Sequence, residues 1–109
     1  ALIAEQNGKS YVIKRQDGKR LTILNEEGVE LFSNDFVGSS PVSVQYYDFG
    51  AGRVYISVTD LSQDISFIYN GKGNLLNTTP IEGSSIELKA SKSDFPKTYV
   101  VDGNALIIQ

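Results

Sequence analysis

Arg53-Val54-Tyr55-Ile56 is one of three versions of the same short segment in this chain. Lys9-Ser10-Tyr11-Val12 precedes it and Lys97-Thr98-Tyr99-Val100 follows it. Each opens on a basic residue and ends on tyrosine and a β-branched aliphatic residue. From Tyr11 to Tyr55, and again from Tyr55 to Tyr99, the interval is 44 residues. A constant interval of this length marks an array of one structural unit.

Outward from these segments the chain reads as short strands divided by turn residues. Before Tyr11 lies Leu2 to Glu5, then Asn7-Gly8, a strong hairpin signal. Ser10 to Arg15, Leu21 to Leu24 and Val29 to Phe32 follow, separated by Asp17-Gly18 and by Asn25-Glu26-Glu27-Gly28, whose Asn and Gly suit a type I turn ending in a left-handed residue. Ser33 to Pro41 is a polar connector. A second cycle contains Val42 to Phe49, Val54 to Thr59, Ile65 to Tyr69 and a short strand beginning at Leu75-Leu76, after Asn70-Gly71-Lys72-Gly73. A third contains Ile86 to Ala90, Tyr99 to Val101 and Ala105 to Ile108, with Ile86 and Leu88 placed to correspond to Val42 and Val44. The expectation is eleven strands in sheets of four, four and three. The units span 1–37, 38–81 and 82–109. No window has the i, i+3, i+4 apolar spacing of an amphipathic helix.

Several strands are apolar on both faces, as in Val54-Tyr55-Ile56 and Leu106-Ile107-Ile108. Two buried faces imply sheets sandwiched between neighbouring sheets. A period of 40–50 residues holding four short strands resembles a β-propeller blade, and Asn25 to Leu31 and Asn70 to Leu76 resemble the hairpin between the third and fourth strands of such blades. The resemblance implies an all-β fold of consecutive four-stranded antiparallel, blade-like sheets forming a partial propeller. Its family stays open, because no Trp-Asp or Gly-His pair, double glycine of the kelch type or Trp of the quinoprotein type is present. A β-sandwich and a β-solenoid are the alternatives. A sandwich needs no repeat, and a solenoid uses shorter coils.

With 109 residues, 40% hydrophobic and 21% charged, the chain has the composition of one ordinary globular domain. A net charge of −3 with scattered basic residues argues against nucleic acid as a partner. No apolar run is long enough for a membrane span. The lack of Met leads us to expect a processed form or a piece of a longer chain. The absence of Cys and His removes thiolate chemistry and the commonest general base and metal ligand, so no enzyme, metal or cofactor is expected.

Candidate chemistry is sparse. Tyr46-Tyr47-Asp48-Phe49 is the densest aromatic cluster, and Tyr46, Tyr47 and Asp48 could hold a sugar ring, although packing between sheets is the favoured reading. Asp60 and Asp64 flank Ser62 and Gln63 in a loop that offers oxygen ligands, but turn chemistry explains it better. Glu26 and Glu27 are expected to point apart into solvent. Gly50-Ala51-Gly52 and Gly71-Lys72-Gly73 read as hairpin glycines, since no helix follows them. Tyr11, Tyr55 and Tyr99 are expected to occupy equivalent places on the second strands of three sheets. Their basic neighbours Lys9, Arg53 and Lys97 are placed at the strand mouths, and Val12, Ile56 and Val100 between sheets.

The functional expectation is a non-enzymatic protein-interaction or scaffold module, a fragment of a larger propeller. The alternative is a carbohydrate or small-ligand-binding domain attached to a surface or secreted protein. An extracytoplasmic or secreted setting is preferred to a cytoplasmic one. The partner is a protein or a second copy, reached through open sheet faces carrying Leu2, Ile3, Leu106, Ile107 and Ile108.

Overall fold

Two turns with the same chemistry set the frame of the protein. The Asn25 amide donates to the Val29 carbonyl and the Gly28 amide to the Asn25 carbonyl, while Asn25 Oδ1 accepts from the amides of Glu27 and Val29, both at 2.9 Å. Asn70 repeats each bond, with Asn74, Gly73 and Lys72 as partners. Gly28 and Gly73 close the turns at φ +82° and +89°, a conformation that glycine adopts without a steric penalty.

The structure, a computed structural model, describes residues 2–6, 9–16, 20–35, 42–93, 95–102 and 105–108. Its strands are β1 (Leu2–Gln6), β2 (Lys9–Gln16), β3 (Arg20–Leu24), β4 (Glu30–Asp35), β5 (Val42–Asp48), β6 (Val54–Asp60), β7 (Ile65–Asn70), β8 (Ile81–Glu82), β9 (Ser85–Lys89), β10 (Lys97–Asp102) and β11 (Ala105–Ile108). The protein is all-β, and no described residue is helical. Consecutive strands pair antiparallel into three sheets, β1-β2-β3-β4, β5-β6-β7-β8 and β9-β10-β11. The expected turns at Asn7-Gly8 and Asp17-Gly18, and residues 36–41 of the connector, lie outside the described residues.

Because successive side chains on a strand point to opposite faces, the middle sheet contributes to two cores. On one face Val44, Tyr46, Ile56 and Val58 pack against Tyr11, Ile13, Leu21, Ile23 and Phe32 of the first sheet. On the other, Tyr47, Tyr55, Ile68 and Ile81 pack against Ile86, Leu88 and Val100 of the third. In the repeated segments, where a neighbouring sheet is described, tyrosine faces the following sheet and the aliphatic residue the preceding one. Tyr11 and Ile56 thus share the first core, and Tyr55 and Val100 the second. Val12 and Tyr99 lie on the outer faces and are half-buried. The expectation that Val12 is buried between sheets is corrected accordingly, since no described sheet covers its face.

Two other expectations are corrected. The fourth strand of the second sheet is β8, not Leu75-Leu76; Leu75 forms an isolated bridge with Tyr69. The edge of β7 is occupied instead by the amide of Leu76, which donates to the Ile68 carbonyl, and by the side chain of Asn77. Asn77 accepts from the Ile68 amide at 2.7 Å and donates to the Ser66 carbonyl at 3.1 Å, imitating a strand backbone. Strand β8 also straddles the expected boundary between residues 81 and 82.

The third unit is offset as well. Tyr55 pairs with Tyr47, eight residues earlier, whereas Tyr99 pairs with Glu87, twelve residues earlier. Ile86, opposite Val100, therefore stands where Tyr46 stands opposite Ile56, and the expected match of Ile86 and Leu88 to Val42 and Val44 does not hold. The longer first hairpin of the third unit is compensated by a shorter passage between sheets. Only Gly83-Ser84 separates β8 from β9, against residues 36–41 between β4 and β5.

Candidate functional site

Strand alternation separates the three ligand candidates of the aromatic cluster, Tyr46, Tyr47 and Asp48. Tyr46 and Asp48 lie on the face of β5 toward the first sheet, and Tyr47 on the face toward the third. Tyr47 is fully buried, its ring 5.8 Å from that of Phe49, and its hydroxyl donates to Gln45 Oε1. Burial pushes its phenol above the ordinary tyrosine range, against hydrogen bonds to Leu88 and Ser57 that act the other way. Tyr47 is a core residue and does not join Tyr46 in one stacking platform.

Tyr46 meets Tyr11 across the junction of the first and second sheets, with ring centroids 4.7 Å apart and planes tilted by 43°. The two rings border a cleft of about 290 Å³ whose wall also contains Lys9, Asn25, Glu26 and Asp48. The Asp48 carboxylate accepts the Gly50 amide at 2.9 Å, and the Glu26 carboxylate accepts the Ser10 amide at 2.9 Å. Burial raises the affinity of the Tyr11 and Tyr46 phenols for their protons, and the negative charge of Asp48 adds to the effect in both. Glu26 adds further to Tyr11. Neither hydroxyl has a hydrogen-bond partner among the described residues.

Glu26 is the residue that sequence reasoning left out of the site. Its carboxylate is tied to β2 rather than simply solvated, because the β2–β3 pairing of Val12 with Leu24 brings the Asn25 turn beside Ser10. The turn signal together with the expected hairpin contained this information.

A second cleft, of about 480 Å³, lies beside Tyr55 at the matching end of the second sheet. Arg53, Asn70, Gly71 and Lys72 occupy the places that Lys9, Asn25, Glu26 and Glu27 hold beside Tyr11. The backbone frame is shared and the charge is reversed. Arg53 is exposed yet donates to the Ser91 carbonyl at 2.8 Å, so it does more than sit in water at a strand mouth. Lys97 is exposed, with its ammonium 5.8 Å from the centre of the Tyr99 ring.

The remaining candidates resolve into turns. Asp60 Oδ1 accepts from the Ser62 amide and hydroxyl and the Gln63 amide, which commits that oxygen to the loop. Among the described residues no group of three acidic, His or Cys side chains is placed to hold a metal ion. Gly50-Ala51-Gly52 closes the β5–β6 hairpin through bonds between Phe49 and Arg53 and between Arg53 and Gly50. No helix among the described residues is long and apolar enough to cross a membrane.

Compared with protein-family models, curated proteins and solved structures, the chain finds no match in any of the three. What fold and site together define is an all-β protein of three stacked antiparallel sheets, with a tyrosine–carboxylate cleft at the first junction.

Proposed function

We propose that the chain belongs to a β-propeller-type array and works as a non-enzymatic interaction module, its outer sheet faces taking further sheets of the same design. One observation carries this reading. Both junctions join a tyrosine on the leading sheet to an aliphatic residue on the next, Tyr11 with Ile56 and Tyr55 with Val100. The outer faces hold the two unused halves, Val12 on the first sheet and Tyr99 on the third, and Val101 beside Tyr99 is 37% exposed. A face of this kind is complementary to the opposite face of another unit, which makes the contact head-to-tail. The side chains of Leu2, Ile3, Leu106, Ile107 and Ile108 lie outside the described residues, so the reading stands on Val12, Tyr99 and Val101.

Light scattering across a dilution series tests it. The expected result is a mass that rises with concentration and returns to that of a monomer in Val101→Glu. A monomer at every concentration, with no binding of a dye that reports apolar surface, removes the interaction reading.

A second reading, a carbohydrate or small-ligand-binding domain, is favoured by the cleft at the first junction. There Tyr46 and Asp48 meet Tyr11 and Glu26 from the neighbouring sheet.

A further inference from the structure

We infer that the cleft between the first and second sheets binds a primary ammonium group, on a free amine or on a lysine side chain of a protein. The inference rests on the small-ligand reading of this cleft and names its ligand.

A sugar stacked on the aromatic rings does not suit the geometry. Tyr11 and Tyr46 pack on each other at 4.7 Å with planes tilted by 43°, and each is only 6% exposed, which leaves no open ring face for a sugar. Both side chains line the cleft and are more than nine-tenths buried, and their hydroxyls have no hydrogen-bond partner among the described residues, so they are open to a ligand that enters it.

The charge of the wall decides what completes them. Glu26, Glu27 and Asp48 face one opposing cation, Lys9. Glu26 and Asp48 are each pinned through one oxygen by a backbone amide, which leaves the other carboxylate oxygen able to accept. An ammonium group carries three N–H donors and no acceptor, matching a site made of carboxylate and phenol oxygens. The second cleft shows that the turn itself does not demand this charge. On the same Asn-x-x-Gly frame it carries Gly71 and Lys72 where the first carries Glu26 and Glu27.

The test is an NMR titration of the chain with three probes: n-butylammonium chloride, Nα-acetyl-lysinamide and glucose. The ammonium probes are expected to shift the Tyr11 and Tyr46 ring signals, with affinity that falls as salt is added. Asp48→Asn and Glu26→Gln keep the backbone hydrogen bonds and remove the charge, and each is expected to weaken binding about tenfold or more. Tyr46→Phe should weaken it by a smaller factor, and Lys72→Gln, in the other cleft, should leave it unchanged. Tighter binding of the lysinamide than of butylammonium assigns the site to a protein lysine, and the reverse order to a free amine. Ammonium binding that survives Asp48→Asn and Glu26→Gln overturns the inference. So does glucose binding without ammonium binding, which leaves the small-ligand reading standing. Silence with all three probes removes both.

Discussion

Tyr46 and Tyr47 are joined by one peptide bond, and their rings lie in different hydrophobic cores on opposite faces of the same strand. Tyr46 pairs with Tyr11 of the first sheet, and Tyr47 packs among residues that face the third. The middle sheet therefore ties the other two together, and a change in its central strands should be felt through both junctions.

Ile56→Ala tests that role. Ile56 is fully buried at the first junction, and truncating such a residue costs on the order of 2–5 kcal/mol. Val12→Ala removes a half-buried side chain from an outer face and should cost no more than about 1 kcal/mol. Urea unfolding of the two variants measures both values. A loss below about half a kcal/mol for Ile56→Ala would show that the first junction contributes little stability.

Asn77→Ala isolates the side chain that takes the place of a strand. It leaves the Ile68 amide and the Ser66 carbonyl without their partners at the buried edge of β7. Each orphaned buried group costs about 1–3 kcal/mol, so the variant should lose on the order of 2–6 kcal/mol. Hydrogen exchange at the Ile68 amide should quicken before exchange in β6. Unchanged protection at Ile68 would mean that the Asn77 side chain is not what shields that amide.

Asn77 also shows where the sequence stops being legible. The turns at Asn25 and Asn70 could be read because their chemistry is local: one amide side chain and one glycine three residues later decide the conformation. The all-β class and the two-faced middle sheet follow from the same local patterning. The site of β8 could not be read, because an asparagine side chain had already taken the edge that Leu75-Leu76 was expected to fill. The offset of the third unit was hidden too. A longer hairpin before Tyr99 and a shorter link at Gly83-Ser84 leave the tyrosine interval at 44 residues while moving Ile86 by four. Half of the candidate cleft was visible in Tyr46 and Asp48. Tyr11 and Glu26 join it only through the stacking of the sheets.

That short link leads to a third prediction. Gly83 is buried at φ +154°, and a Cβ there would sit 2.8 Å from the Val101 carbonyl oxygen and overlap Cγ1 of Val100. The carbonyl cannot easily retreat, since the Ser84 amide holds it at 2.8 Å. Gly83→Ala should cost on the order of 2–4 kcal/mol through overpacking and backbone strain. Ser84→Ala, which removes only an exposed hydroxyl bond to the same carbonyl, should cost less than about 1 kcal/mol. Thermal unfolding of the pair separates them, and equal losses would show that the close approach is not what constrains the link.

The last prediction concerns alkaline pH. Burial raises the phenols of Tyr11, Tyr46, Tyr47 and Tyr69 above the ordinary tyrosine value of 10.0. The fold favours their neutral form, so their contribution to stability is fully present below that value. Above it the unfolded chain has already given up these protons while the folded chain still holds them, and stability falls as pH rises through the folded-state values. Phenolate absorbance followed against pH should therefore show a late-titrating group of tyrosines that ionise together with loss of tertiary circular dichroism. Tyr47→Phe should make the decline in stability at high pH less steep. If all six tyrosines titrated at the ordinary value while tertiary structure persisted, the burial of the paired rings at the first junction would be wrong.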